Sequence, residues 1–245
     1  MSSMDVTQPK INENASEGDA TAGSFSDSQN SDSWSFKKEN YSKQLKSWPH
    51  TGRHILAHYD ESSIVVYQAY KASIAEFAVQ NQRLGGPHFS FDRMSWIKTS
   101  FMWMMYRSGW AQKDHQEHVL AIQISRKGFD AILSKAYTMM KQKAARLETK
   151  DIEVRLQWDP DHDPHGEKLT RKAIQLGLKG KTLLDFATTY ICAIHDITDY
   201  VHEQYQVLET RGVQDLETPL EQIYIPGDPK ICELIDLDVQ DNSKS

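Results

Sequence analysis

The chain has 245 residues, 39% of them hydrophobic, and a formal charge of −6 at neutral pH. That length supports one substantial core with tails, and the charge excludes the strongly basic footprint of a duplex-DNA binder. Residues 1–40 hold seven acids against three lysines, with few aliphatics, and residues 226–245 hold five acids against two lysines, so the middle of the chain is close to neutral. A head of that composition buries too little apolar surface to offset chain entropy. The expected organisation is a disordered, Ser-rich acidic head over 1–48, a single folded domain over 49–226, and an acidic tail over 227–245.

Taken in chain order, SSIVVYQAY (62–70) is β-branched and aromatic and reads as a buried strand. KASIAEFAVQNQRL (71–84) follows with Ile74, Phe77 and Ala78 at helical spacing, and Gly85, Gly86 and Pro87 stop the helix. FSFDRMSWI is extended or irregular. TSFMWMMYRS (99–108) predicts a helix capped by Thr99 or Ser100. EHVLAIQIS (117–125) is a second strand, and RKGFDAILSKAYTMMKQKAARLE after it is amphipathic and helical. IEVRLQWDP (152–160) is a third strand, DPDHDPHGEK a polar loop, and AIQLGL (173–178) a short fourth strand. KTLLDFATTYICAIHDITDYVHEQYQVLE (181–209) reads as one long C-terminal helix, with Leu184, Ala187, Ile191, Ile194 and Val201 down one side. EQIYIP (221–226) is a last strand closed by Pro226. Strands and helices mix without a regular βαβ repeat. The expected fold is therefore α+β: a central, largely antiparallel sheet of about five strands flanked by helices.

Cys192 and Cys232 have no metal-ligand or redox spacing and suit a reducing compartment. The N-terminus lacks an apolar targeting stretch, and no run approaches the span of a bilayer. These features predict a soluble intracellular protein, most simply cytoplasmic, without a membrane partner.

The densest chemical signal is SWIKTSFMWMMYRSGW (95–110). At 100° per residue, Phe101, Met104, Met105 and Ser108 share one face of a helix, and Ser100, Trp103 and Arg107 the opposite one. The first face suits a core. The second suits either a binding surface, with an aromatic plane for a base and a guanidinium for phosphate, or a structural cation–π stack. Lys98, just before the helix, adds a cation. In DPDHDPHGEK the acids and the two histidines fit neither a calcium loop nor a zinc site, so no metal is expected. Trp158 and Asp159, at a strand end, remain candidate ligand contacts. No nucleophile elbow, P-loop or dinucleotide fingerprint is present.

WIKTSFMWMMYRSGW, with IVVYQAY before it and VLAIQIS, VRLQWDP, AIQLGL, HDIT and IYIP after it, resembles the domain of unknown function 4291 family over roughly residues 52–226. Thr99, where the family often has Pro, and His162 and His165 depart from its pattern. The resemblance implies a fold but no activity. The segment LEQIYIPGDP also resembles the glutamate strand of ADP-ribosyltransferases. That likeness implies an enzyme using NAD, with Glu221, Gln68 and Ser100 as catalytic candidates. Tyr67 is an alternative to Gln68 on the first strand, aromatics such as Trp96 would hold the nicotinamide, and Lys98 or Arg107 the pyrophosphate. Its substrate would be a nucleotide or nucleotide-bearing molecule, with nucleic acid as one acceptor. The competing reading is a non-enzymatic module for a nucleotide or single-stranded RNA. It would stack bases on Trp96, Trp103, Tyr106, Trp110 and Trp158 and hold phosphates with Arg93, Lys98 and Arg107.

Overall fold

A computed structural model describes residues 36–239. The β-branched run near residue 65 forms the strand around which the rest is built. Elements follow in chain order. Strand β1 (Lys38–Asn40), helix α1 (Tyr41–Leu45) and strand β2 (Ile55–Ala57) lead to the long β3 (Ser63–Tyr70). Next come α2 (Ala72–Asn81), β4 (Ser95–Lys98), α3 (Phe101–Ser108), β5 (His118–Ser125) and α4 (Arg126–Leu133). Strand β6 (Ala136–Tyr137), α5 (Met139–Ala144), β7 (Val154–His162) and β8 (Lys168–Leu178) make up the next part. The last elements are α6 (Gly180–Asp185), β9 (Ile191–Asp196), α7 (Thr198–Arg211), β10 (Glu217–Pro219), β11 (Gln222–Tyr224) and α8 (Pro229–Leu234).

The fold is α+β. Seven strands form the central sheet in the order β6-β7-β8-β4-β3-β5-β9, antiparallel except for the β6–β7 pair. Two small ribbons, β1–β10 and β2–β11, lie apart from it. Alternation along β3 shows why both sheet faces are covered. Ile64 and Val66 join a core with Ala75 and Ala78 of α2, Phe129 and Ile132 of α4, and Ile231 of α8. Val65 and Tyr67 join a second core with Phe101, Met104 and Met105 of α3, Tyr41 of α1, and Val201 and Leu208 of α7. Near-continuous apolar runs such as SIVVY are what a sheet buried on both faces requires.

The structure departs from the sequence-based expectation in four places. The helix expected over 126–148 breaks after Leu133, and Ala136 and Tyr137 pair with β7 instead. The long helix expected over 181–209 is three pieces: α6 with a wide turn, strand β9, then α7. Residues 191–196 satisfy the outer edge of β5, and that ladder outweighs their helical apolar spacing. These two strands and β4, from the stretch read as extended or irregular, bring the central sheet to seven members although EQIYIP is not among them. The polar loop shrinks to a hairpin turn, because β7 continues through the buried Asp161 and His162. The Asp163 carboxylate closes that turn by accepting from the His165 and Glu167 N–H groups. Finally, EQIYIP is a strand outside the central sheet, bound to β2.

The packed body also extends beyond 49–226. Phe36, Tyr41 and Trp48 are buried, as are Ile231 and Ile235. The expected disordered head is therefore ordered from residue 36 onwards, and the expected tail begins with α8. The remainder of those two segments, 1–35 and 240–245, lies outside the described residues. No helix among the described residues is long and apolar enough to cross a membrane.

Candidate ligand-binding cleft

Strands β3 and β4 pair at one register position, Tyr67 with Lys98, and part company towards Tyr70 and Ser95. Each stays fully paired on its other side, β3 with β5 and β4 with β8. The gap is bridged by a side chain. Gln68 Nε2 donates to Ser95 Oγ at 2.7 Å and to the Trp96 carbonyl at 3.1 Å. Beside it the Tyr70 hydroxyl lies 3.2 Å from Ser95 Oγ.

This splay opens a cleft of about 750 Å³, with Phe89, Arg93, Met104, Arg107 and Gln175 among its lining residues. Five of the residues singled out from sequence, Gln68, Arg93, Trp96, Lys98 and Arg107, border it together. Trp96 is half-buried and sits across from Gly177, where a Cβ would stand 2.9 Å from the indole. A larger residue at 177 would push that ring out of place. Arg93 and Arg107 are exposed, and neither has a carboxylate within ion-pair distance among the described residues. The acid on the cleft wall, Asp114, already faces His115 at 3.2 Å.

Lys98 is the only buried lysine among the described residues, at 5% exposure. Its Nζ reaches one acceptor, the Trp96 carbonyl at 3.4 Å. Gln175 is its partner across the β4–β8 pair, and the Gln175 amide is committed to Gln157 and Asp159. Asp159 therefore borders this row of polar groups through Gln175. Burial lowers the Lys98 pKa to about 8, Arg107 pushes it the same way, and Asp159 opposes them.

The remaining candidates lie elsewhere. Ser100 caps α3, accepting from the Trp103 N–H and donating to Asp161 Oδ1. Glu221 is 4% exposed, and its Oε1 accepts the Phe101 N–H at 2.7 Å. Its own backbone is pinned by the Gln44 side chain and the Trp48 indole. Asp161 forms a buried ion pair with Arg171 at 2.7 Å, and Arg171 lies over the Trp48 ring. Burial, aided by Asp161, pushes the Glu221 carboxyl up to about 8, against the Phe101 N–H and Arg171. Ser100, Asp161, Arg171 and Glu221 thus form a buried polar layer under the start of α3, outside the cleft lining.

Tyr67 is fully buried, with no hydrogen-bond partner for its hydroxyl among the described residues. Trp103 is 7% exposed and lies against His162 and Tyr106 rather than Arg107. The Trp158 indole donates to the Ile235 carbonyl, on the α8 side of the sheet. The expected core face of α3 is buried as drawn, but Met102 and Trp103 are buried too, which leaves Tyr106 and Arg107 as its exposed residues. Sequence reasoning missed Gln44, Trp48, Asp161 and Arg171. The first two fell in the supposed head, and Asp161 in the supposed solvated loop. Among the described residues, no group of three or more His, Cys, Asp and Glu is placed to hold a metal ion.

The model of a domain of unknown function, DUF4291, matches residues 54–224. The chain belongs to the DUF4291 family. The match runs from β2 to β11, so the whole central sheet, the cleft and Glu221 fall inside the DUF4291 region. The segment with Gln44 and Trp48, and helix α8, lie outside it. A comparison with curated proteins gives no match.

Proposed function

We propose that the cleft between β3 and β4 binds a nucleotide or a nucleotide-bearing substrate. One observation carries the reading. Three cations without a carboxylate partner among the described residues, Arg93, Lys98 and Arg107, converge with Trp96 on one concave site of a near-neutral domain. Buried or clustered cations are normally paired, and an unpaired set in a cleft fits an anion supplied from outside. Trp96 provides a flat apolar wall for a base or nicotinamide ring. NAD is one ligand of this kind.

The geometry favours binding of a compact nucleotide over the two more elaborate readings. An ADP-ribosyl transfer of the type first considered needs a carboxylate at the sugar, and Glu221 has one oxygen taken by the Phe101 N–H and almost no exposure. Stacking a single strand needs a series of accessible planes, and Trp103 and Trp110 are buried. The test is a thermal-shift series with NAD, ATP, GTP, inorganic phosphate and short RNAs. A nucleotide bound to the folded state raises the melting temperature, and Arg107→Ala reduces that rise. A flat response to every nucleotide refutes the proposal.

A further inference from the structure

The buried lysine and the buried arginine of the described residues are treated differently by the fold. Arg171, at 2% exposure, has its counter-charge in Asp161. Lys98, at 5% exposure, has none. The carboxylate nearest in the row, Asp159, holds the Gln175 amide through its Oδ2 at 2.5 Å. The neighbouring charged group on the cleft wall is Arg107, a second cation. A desolvated amine beside another cation is the environment that frees a lysine lone pair for attack on carbon. Arg93 and Arg107, exposed on the same lining, are left to hold the phosphates.

We infer that Lys98 is a nucleophilic amine that condenses with the aldehyde of a nucleotide carrying an open-chain reducing sugar. The inference rests on the nucleotide reading of the same cleft. The Nζ lone pair attacks the carbonyl carbon, and the carbonyl oxygen takes up a proton to become a hydroxyl. One N–H proton goes to that oxygen to give a carbinolamine, and the second N–H proton leaves with the hydroxyl as water when the C=N bond forms, so amine plus aldehyde gives imine plus water. No oxidant or metal is needed. The half-neutral amine near pH 8 makes the attack feasible at physiological pH.

The test uses the full chain with ADP-ribose as the aldehyde and ADP as the matched nucleotide without one. Sodium cyanoborohydride reduces any imine to a stable secondary amine, and peptide mass spectrometry locates it. The expected result is labelling of Lys98 at least about ten-fold above any exposed lysine, because the bound aldehyde is held at the amine. Excess ADP should suppress that label, and Lys98→Arg should abolish it while the background labelling of exposed lysines is unchanged. If ADP stabilises the protein but ADP-ribose labels only exposed lysines, the imine inference falls and the nucleotide site stands. If neither nucleotide shifts the melting temperature and Lys98 stays unlabelled, the imine inference falls, and the nucleotide site falls with it when NAD, ATP and GTP are flat as well. Labelling of Lys98 that ADP does not suppress overturns the inference as well, since the aldehyde would then act outside the nucleotide site.

Discussion

Replacing Glu221 by Gln tests the buried layer under α3. Its carboxyl sits at about 8 in the folded protein against an ordinary 4.5, chiefly because burial strips it of water. The unfolded chain therefore releases this proton between pH 4.5 and 8 while the folded chain keeps it. Stability contributed by Glu221 is complete below 4.5, falls as pH rises through that window, and levels off above about 8. At 1.36 kcal/mol per unit, the loss is about 1 kcal/mol at pH 5 and about 3 kcal/mol at pH 7. Glutamine has no such proton, and its amide oxygen still accepts the Phe101 N–H. Glu221→Gln should therefore gain on the wild type by about 2–3 kcal/mol between pH 5 and pH 7. Urea unfolding of both proteins at several pH values measures that difference, and it cancels the titration of His58, His162 and His195, which burial affects in both. A wild-type-to-variant difference that stays constant from pH 5 to 7 refutes a protonated Glu221.

Phe101→Ala should destabilise the protein by about 3–5 kcal/mol, because the ring is fully buried against Tyr67 and Trp110. Arg107→Ala should stay within about 0.5 kcal/mol of the wild type yet weaken nucleotide binding. Equal unfolding penalties for the two variants would show that both faces of α3 are core. Asp161→Asn leaves Arg171 buried without a counter-charge and should cost about 3–5 kcal/mol in the same unfolding assay. Asp161→Leu combined with Arg171→Met should recover most of that loss, and a double variant as unstable as the single one would contradict this reading.

The fold class was legible because its main strands carry local signals. SIVVYQAY and HVLAIQIS are β-branched, bounded by turns or caps, and pair with each other along their full length. A cap at Thr99 or Ser100 was legible because such a hydroxyl acts on an N–H a few residues ahead, which needs no distant partner, and the structure gives that role to Ser100. The strand ICAIHD was not legible. Its apolar spacing also satisfies a helix, and the open edge of β5 that decides the matter lies some seventy residues earlier in the chain. The cleft divides in the same way. Trp96, Lys98 and Arg107 stood out as a concentration of aromatic and basic residues within one stretch. Gln175 came from a strand whose neighbours gave no hint of it.

By itself, then, the sequence determined which main segments would seek the core and where α3 would start. Local propensity and periodicity act over a few residues, so a single stretch can carry that information. Only the tertiary structure decided which polar groups were buried and which lined open space. Glu221 and Lys98 are both charged residues next to apolar runs, and nothing local separates them. The packing of α1 and Trp48 seals Glu221 under α3, whereas the parting of β3 from β4 leaves Lys98 at the wall of a cleft. That distinction depends on partners brought from distant parts of the chain.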